Sequence, residues 1–455
     1  MTTKDNDTIC AIASAPGGAI GIVRVSGPDA IDITGNTICR SIKEAKGNTI
    51  VHAYINDKKG DAIDEVLVSV FRAPHSYTGE DSTEISCHGS PYIMERIVER
   101  LVEEGCRNAM PGEYTQRAFL NGKMDLSQAE AVADLIASTN AATHRMAMSQ
   151  LRGLFSSRLA QLRKQLLKIT SLVELELDFS DQDVTFADRE ELLRLTQETR
   201  QHIETLERSF ATGNALKRGI AVAIAGKTNV GKSTLLNLLV GDDRSIVSDQ
   251  HGTTRDTIEE TMEIKGVTFR FIDTAGLRHT DDAIELMGID RTKKAIDRAA
   301  IVVWIVDKEP TAEECCQIEL IGKSKPLIVV ENKTDIDGAH SESWNDRAKA
   351  LHPLPISAKY DINTNLLRDA IYDAAGIPEI GANDVIVTSA RHHEALTKAQ
   401  KSIDDAINAI NAGLSGELLS EHLRECIGYL SDIVGGAITP EETLNNIFSH
   451  FCIGK

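Results

Sequence analysis

The octapeptide Gly226-Lys227-Thr228-Asn229-Val230-Gly231-Lys232-Ser233 fits G-x-x-x-x-G-K-[ST], the loop that cradles phosphates. An apolar run, Ile220 to Ala225, precedes it and reads as a buried strand. Leu235, Leu236, Leu238 and Leu239 follow at helical spacing. Strand, loop and helix in that order are the context the motif needs, because backbone N–H groups and a helix N-terminus then face the phosphates. Lys232 is expected to reach the β- and γ-phosphates, and the Ser233 hydroxyl to ligate Mg²⁺. Asn229, Val230, Gly231 and Thr234 complete the candidate contacts of this loop.

Further stretches of the same kind follow in order. The segment Ser248-Asp249-Gln250-His251-Gly252-Thr253-Thr254 ends in a threonine that can offer its hydroxyl to Mg²⁺ only when a γ-phosphate is present, which makes it a switch. Asp273-Thr274-Ala275-Gly276 comes after the strand-like run Thr268–Ile272. There Asp273 is expected to hold the metal through water, and the Gly276 N–H to meet the γ-phosphate. Asn332-Lys333-Thr334-Asp335 comes after the run Leu327–Val330. The Asp335 carboxylate can accept two N–H bonds from guanine N1 and N2, a donor pair that adenine lacks, so this motif selects GTP over ATP. Ser357-Ala358-Lys359 is expected to supply a backbone N–H to the guanine O6. One tetrapeptide alone is a weak signal; four in order, each after a predicted strand, make a GTP site.

The catalytic group is less plain. Many GTPases place a water-orienting Gln directly after Asp-x-x-Gly, and here that position is Leu277. An apolar side chain cannot orient water. Arg255 and Arg278 are near in sequence, but an arginine solvated at the surface is the plainer reading of each. Glu285 is a candidate carboxylate, although read by itself it is better taken as a solvated helix glutamate.

The chain of 455 residues is long enough for several domains of about 100–200 residues each. Hydrophobic content of 42% and charged content of 26% are those of a globular protein, and no apolar run is long enough for a membrane helix. Met1 to Asp7 is polar and acidic, without a signal-peptide pattern. A net charge of −19 leaves any nucleic-acid contact local or shared with a partner. Cys10, Cys39, Cys87, Cys106, Cys315, Cys316, Cys426 and Cys452 form no C-x-x-C pair, which argues against zinc and disulfides and for a reducing cytoplasm.

Residues 1–120 read as a small α+β domain, with strands at Thr8–Ala13, Ile20–Val25, Val51–Ile55, Val66–Phe71 and Glu84–Cys87 and a helix at Pro91–Glu104. Residues 121–215 read as the first part of a helical domain, opened by a capping box of Ser127 and Glu130. Leu159, Leu162, Leu166, Ile169, Leu172 and Leu175 mark one apolar stripe there, and Leu192, Leu195, Thr199, Ile203, Leu206 and Phe210 another. The acidic link between them, Asp178 to Glu191, reads as a solvated loop. Residues 216–378 alternate strand and helix as a doubly wound, Ras-like P-loop domain does. Residues 379–455 are helical again, with stripes at Leu396, Ile403, Ile407, Ile410 and at Leu419, Leu423, Ile427, Leu430, Val434, and a last helix from Thr439-Pro440. The fold class is thus α/β plus all-α, with the nucleotide domain inserted into a helical domain built from two chain segments. His392-His393 and Cys315-Cys316 read as structural or surface residues.

With these motifs in hand, the whole chain resembles the MnmE/TrmE family of tRNA-modifying GTPases. The resemblance rests on Tyr77-Thr78-Gly79-Glu80-Asp81, on Arg117-Ala118-Phe119-Leu120-Asn121-Gly122-Lys123-Met124-Asp125-Leu126 and on the ending Phe451-Cys452-Ile453-Gly454-Lys455. It implies a homodimer formed through the N-terminal domain, which binds a 5-formyl-tetrahydrofolate or related tetrahydrofolate at Arg24, Glu84, Lys123 and Lys455. Arg24 and Lys123 make sense against the folate glutamyl carboxylates; without the family each reads as a surface charge. It further implies K⁺ held by Asn229, Ser248, Gln250 and Thr253, and Mg²⁺ by Ser233 and Thr254. The cation then stands where an arginine finger would and stabilises the charge of the transferred phosphoryl group. Glu285 matches the family's water-orienting glutamate. Thr228 departs from the proline commoner before the asparagine.

The implied activity is potassium-stimulated GTP hydrolysis. It would act with a flavin-dependent subunit of the MnmG/GidA type in a heterotetramer, adding an aminomethyl or carboxymethylaminomethyl group to carbon 5 of the wobble uridine of certain tRNAs. Cys452 stays open between a thiolate with a chemical role, favoured by Lys455, and a packed structural cysteine. The alternative function is a regulatory GTPase switch in ribosome assembly or signalling, whose helical flanks dock a partner.

Overall fold

A computed structural model describes residues 7–178, 189–241, 260–272, 285–336, 343–378, 381, 384–436, 444, 447–449 and 451–454, with the side chains of 176–178 and 285–291 excepted. The chain divides into two compact units, Met1–Ala137 with Ala147–Glu204 and Glu394–Lys455, and Ser138–Met146 with Thr205–His393. Among the described residues no helix is long and apolar enough to cross a membrane.

The first unit opens with a six-stranded sheet in the order β3-β4-β5-β2-β1-β6. Its strands are β1 (Ile9–Ile12), β2 (Ile20–Ser26), β3 (Thr49–Asn56), β4 (Ala62–Phe71), β5 (Ser82–His88) and β6 (Arg107–Asn108). The five strands and the helix expected from the sequence are all present. Val23, Val25, Val66, Val68, Val70 and Ile85 alternate onto one face, which α1 (Ala30–Thr37) and α2 (Pro91–Glu103) cover through Ile31, Ile33, Met94, Ile97 and Leu101. Helix α1 was not legible in the sequence. It is eight residues long, Asp29 makes no side-chain cap, and tertiary contacts such as Thr34 Oγ1 to Thr83 Oγ1 (2.7 Å) hold it.

Helices α3 (Glu113–Leu120), α4 (Leu126–Ile136), α5 (Ala141–Leu151), α6 (Leu154–Asp178) and α7 (Arg189–Arg218) follow. The capping expectation at Ser127 and Glu130 is corrected: Asp125 is the N-cap of α4 and Gln128 closes the box. Asp125 accepts from Gln128 N at 2.9 Å, and Gln128 Oε1 accepts from Asp125 N at 3.0 Å. Aspartate two residues earlier takes the Gln128 N–H, and the Ser127 hydroxyl, inside the first turn, donates to the same carboxylate at 2.9 Å. The α6 stripe buries Leu159, Leu162, Leu166 and Ile169, then Val173 in place of the expected Leu175, which is 43% exposed. A 3.6-residue period brings 173, not 175, back to the buried side. The acidic link lies outside the described residues apart from its ends, and so does the start of the last helix at Thr439. From the C-terminal segment, the helix Gly416–Val434 packs on α6, where Arg424 Nη2 reaches Glu174 Oε1 at 2.6 Å. Along it Leu419, Leu423 and Leu430 are buried as expected, and Cys426 and Ile433 are buried where Ile427 and Val434 are only half-buried.

The second unit carries a six-stranded sheet, β12-β11-β10-β7-β9-β8. The order begins to alternate around β7 (Ile220–Gly226), the strand that feeds the phosphate loop. β10 (Ile301–Val306) and β11 (Leu327–Glu331) pair in parallel, as their continuous apolar runs foretell, and β8 (Glu260–Ile264) is antiparallel to β9 (Val267–Phe271). β12 (Leu354–Pro355) closes the edge.

At the foot of the N-terminal sheet Arg107 and Arg117 are each bonded to both Asp7 and Glu113. Burial pushes the Glu113 carboxyl up, but bonds from Arg107, the Met110 N–H and Arg117 outweigh it, and the net position is below the usual range. Asp7 is likewise held low by the two arginines against its burial. Both folded pKa values are depressed, so this stability is present above the ordinary carboxylate values, starts to fall there, and is lost as pH drops through the depressed folded values. We expect the N-terminal sheet to begin to melt below about pH 4. Arg117→Ala should cost about 2 kcal/mol at neutral pH by denaturant titration, because it removes one of the two arginines that hold Asp7 and Glu113; an unchanged midpoint would refute this.

Candidate functional site

The phosphate loop is shaped by its glycines. Gly226 has φ +139°, and a Cβ there would lie 2.3 Å from Ile305 O on β10. Gly231 has φ +97°, and a Cβ there would lie 2.2 Å from Asn332 Nδ2. Between them Asn229 adopts φ +63°. The loop opens directly into α8 (Lys232–Gly241), so the N–H groups of its first turn line the cradle. Lys232 Nζ donates back to Gly226 O (2.9 Å) and to Lys227 O, which sets the ammonium across the loop mouth. Burial pushes its pKa down. A phosphate partner would offset that cost by favouring the charged form.

The guanine-reading stretch is joined to this loop. Asn332 is 3% exposed; its Nδ2 donates to Val230 O (2.7 Å) and its Oδ1 accepts from Ala358 N (2.9 Å). Lys333 has φ +67° and its Nζ bridges Asn229 O (2.6 Å) and Asp307 Oδ2 (2.7 Å). The fully buried Ser357 donates its hydroxyl to Asp335 Oδ1 at 2.6 Å. Asp335 is otherwise exposed, so the carboxylate is oriented while its second oxygen stays open. Lys359 extends over the Tyr360 ring at 4.9 Å. Of the sequence-derived contacts, Asn229, Val230, Gly231, Lys232, Ser233, Thr234, Asn332, Lys333, Asp335, Ser357, Ala358 and Lys359 therefore gather around one loop and strand end. Ser248 to Thr254 and Asp273 to Gly276 lie outside the described residues. Glu285 is the first residue of α9 (Glu285–Arg298), with its side chain outside the described set.

A contact that the sequence reading missed is Lys227 Nζ to Glu314 Oε2, 2.7 Å. Glu314 also closes the capping box of α10 (Ala312–Gly322) with Thr311. The signal available was Thr311-x-x-Glu314, a capping box in its own right.

A second cluster sits on the open face of the N-terminal sheet. Arg24 and Glu84 are cross-strand partners on β2 and β5, and Arg24 Nη2 lies 2.9 Å from Glu84 Oε1. The Arg24 guanidinium lies against two rings, Tyr77 at 5.4 Å and Tyr114 at 5.5 Å. Burial pushes both phenols up in pKa, so both rings are neutral. No direct contact joins Lys123 to Arg24. Its Nζ donates to Pro74 O (2.9 Å) and its stem packs on Gly79, so it braces the loop that carries Tyr77. The C-terminal tail does reach Arg24, whose Nη1 donates to Gly454 O at 3.3 Å. Gly454 has φ +93°, and a Cβ there would lie 2.3 Å from Ile12 O. Cys452 is exposed and its carbonyl accepts from Gly112 N at 3.3 Å. Lys455 lies outside the described residues. His393 Nε2 contacts Glu207 (2.8 Å) and stacks on Phe210 at 4.2 Å, a structural role; among the described residues no metal-ligand cluster occurs.

Replacing Asp335 by Asn should exchange a two-acceptor edge for one donor and one acceptor. GTP affinity is expected to fall by two orders of magnitude or more (about 3 kcal/mol). XTP, which carries a carbonyl in place of the guanine amine, should bind the variant better than GTP does. Competition of both nucleotides against a fluorescent GDP checks it, and an unaltered preference for GTP would contradict the assignment.

Residues 8–123 match the family model described as GTP-binding protein TrmE N-terminus, and residues 126–452 that of the MnmE helical domain. A protein of Bacteroides fragilis named tRNA modification GTPase MnmE is 52% identical over 469 residues, covering 99% of this chain and all of that one. The protein of the same name from Bacteroides thetaiotaomicron is 53% identical over 466 residues, with 99% and 100% coverage. That of Flavobacterium johnsoniae is 46% identical over 468 residues, again with 99% and 100% coverage.

Proposed function

This chain belongs to the MnmE family, and from that premise we propose that it is a GTPase that hydrolyses GTP to GDP and phosphate in the course of tRNA modification. The observation that carries the reading is the joint between Asn332, Gly231 and Val230, which ties a phosphate cradle to a guanine-reading carboxylate. Lys232 neutralises charge on the β- and γ-phosphates, and Ser233, with Thr254, would hold Mg²⁺. Asp335 and Ala358 address the base.

The finer reading is our proposal too. Asn229 is exposed with its carbonyl held by Lys333, which leaves its side-chain oxygen available; it would hold K⁺ with Ser248, Gln250 and Thr253. A monovalent cation there supplies positive charge at the phosphates in place of an arginine. Glu285, at the start of α9, would orient the attacking water. Arg24, flanked by two neutral rings and Glu84, suits a ligand that is flat and aromatic at one end and carboxylated at the other, as a tetrahydrofolate is. Such a ligand supplies a one-carbon unit. In this reading Gly454 and Cys452 belong to the wall of that pocket, and Lys455 would add a cation to it.

We further propose a homodimer formed through the N-terminal sheet. Its open face carries exposed Ile20, Ile50, Tyr54 and Leu67, more apolar surface than a solvated sheet needs. The tRNA wobble uridine would be the substrate, with a flavin-dependent subunit as co-worker. The competing switch reading shares the nucleotide site but gives no role to Arg24 and its rings.

Hydrolysis measured in KCl against NaCl should be faster in KCl by at least tenfold; equal rates would remove the potassium assignment. Gly454→Ala should cost 5-formyl-tetrahydrofolate affinity about tenfold by calorimetry, while GTP hydrolysis is unaffected, because only the tail is displaced. Unaltered folate affinity would take the tail out of the pocket. Tetrahydrofolate that fails to bind the unaltered protein would favour the switch.

A further inference from the structure

Between Asp134 and Glu174 the sequence contains no acidic residue, yet it contains Arg145, Arg152, Arg158, Arg163, Lys164 and Lys168. This is the reverse of the chain as a whole, in which 68 acidic residues outweigh 49 basic ones. The structure shows how α6 uses the stretch. Phe155, Leu159, Leu162, Leu166 and Ile169 are buried, and Gln161, Lys164, Gln165 and Lys168 recur at three and four residues on the exposed side. Lys164 and Lys168 are one turn apart, about 6 Å along the helix. Arg163 flanks them, also exposed, and Arg158 extends the face towards α7 by donating Nη2 to His202 Nδ1 at 2.8 Å.

Among the described residues the acids nearby do not cancel this face. Glu191 and Glu198 on α7 share one guanidinium, that of Arg194. The Glu191 carboxyl is held below its usual range by the Arg194 hydrogen bond first and only lastly by the Lys168 charge. Among the described residues none of Arg163, Lys164 and Lys168 makes a salt bridge.

We propose that this face of α6, from Arg158 to Lys168, receives the phosphate backbone of an RNA, which on the reading above is the tRNA substrate. Cations spaced along one helix, interleaved with glutamines that can hydrogen-bond phosphate and ribose, form a backbone-contacting surface. The exposed side carries no aromatic ring to stack on a base, so the contact is indifferent to sequence. Apart from Leu167 on the flank it offers no large apolar anchor, which disfavours an acidic protein as the occupant. In so acidic a chain such an exposed cationic face lowers the local repulsion that a nucleic acid otherwise meets.

The test is a triple variant, Arg163→Gln, Lys164→Gln and Lys168→Gln, in the full chain; glutamine keeps the helix and removes only charge. Binding of unmodified, fluorescently labelled tRNA is titrated by anisotropy at several KCl concentrations. Loss of affinity of about tenfold or more, with a salt slope shallower by about two to three, is expected. Melting temperature and basal GTP turnover should be unchanged. A control with Lys43, Lys46 and Lys58 changed to Gln on the N-terminal domain should bind as the unaltered protein does. Equal loss in the control, or tRNA binding that the α6 variant retains with its full salt slope, overturns the inference. Retained tRNA binding with lost association to the flavin-dependent subunit assigns the face to a protein and overturns it too. An unaltered protein that binds no tRNA overturns the tRNA reading itself, a result distinct from failure of the α6 face.

Discussion

One buried amide holds the nucleotide site together. Asn332 directs its Nδ2 to Val230 O in the phosphate loop and its Oδ1 to the N–H of Ala358, so two ligand-facing segments are spaced by a single side chain. The contact leaves no room for a side chain at Gly231. An unpaired amide in this position would forfeit two hydrogen bonds in a region that water does not reach. Lys333 and Lys227 add tethers from the same side, to Asn229 O and to Glu314. The loop is therefore pre-shaped by the protein behind it, and binding energy is not consumed in ordering it.

A second joint of the same character brings the last residues of the chain to its first strands. Gly454 and Gly112 both take left-handed backbone angles where neighbouring backbone would collide with a Cβ. The tail thereby meets Arg24, a residue more than four hundred positions away in sequence, through a carbonyl. Backbone contacts of this kind do not depend on the tail's side chains, and they leave the Cys452 thiol exposed. Charge follows a parallel logic. Carboxylates are paired with arginines at the foot of the N-terminal sheet, whereas among the described residues Arg163, Lys164 and Lys168 on the exposed side of α6 have no such partner.

Local rules carried the sequence reading far, and they failed where packing or competition entered. Most strands of both sheets were legible because alternation and continuous apolar runs are period signals; β6 and β12, two residues each, and the edge strand β8 were not read. At the start of α4 the helix begins two residues earlier than the expected box, with Asp125 accepting from the Gln128 N–H, so Ser127 lies inside the first turn and cannot act as the cap. Helix α1 escaped notice because it is short and weakly capped, and contacts with β5 hold it. Leu175 looked like core because leucine usually is, but the helical period had already turned that position outward.

The sequence by itself determined the chemistry on offer: which loop cradles phosphate, which carboxylate can read guanine, and which family the chain resembles. Those are properties of a few contiguous residues and of backbone N–H groups that any strand–loop–helix presents. Only the tertiary structure decided that Asn332 locks the loop, that Lys227 is engaged by Glu314, that Arg24 lies against two tyrosines, and that the tail lies beside it. These contacts join residues far apart in the chain. Pairing of that kind is selected by burial and close packing rather than by local pattern, and it leaves no periodic trace to read.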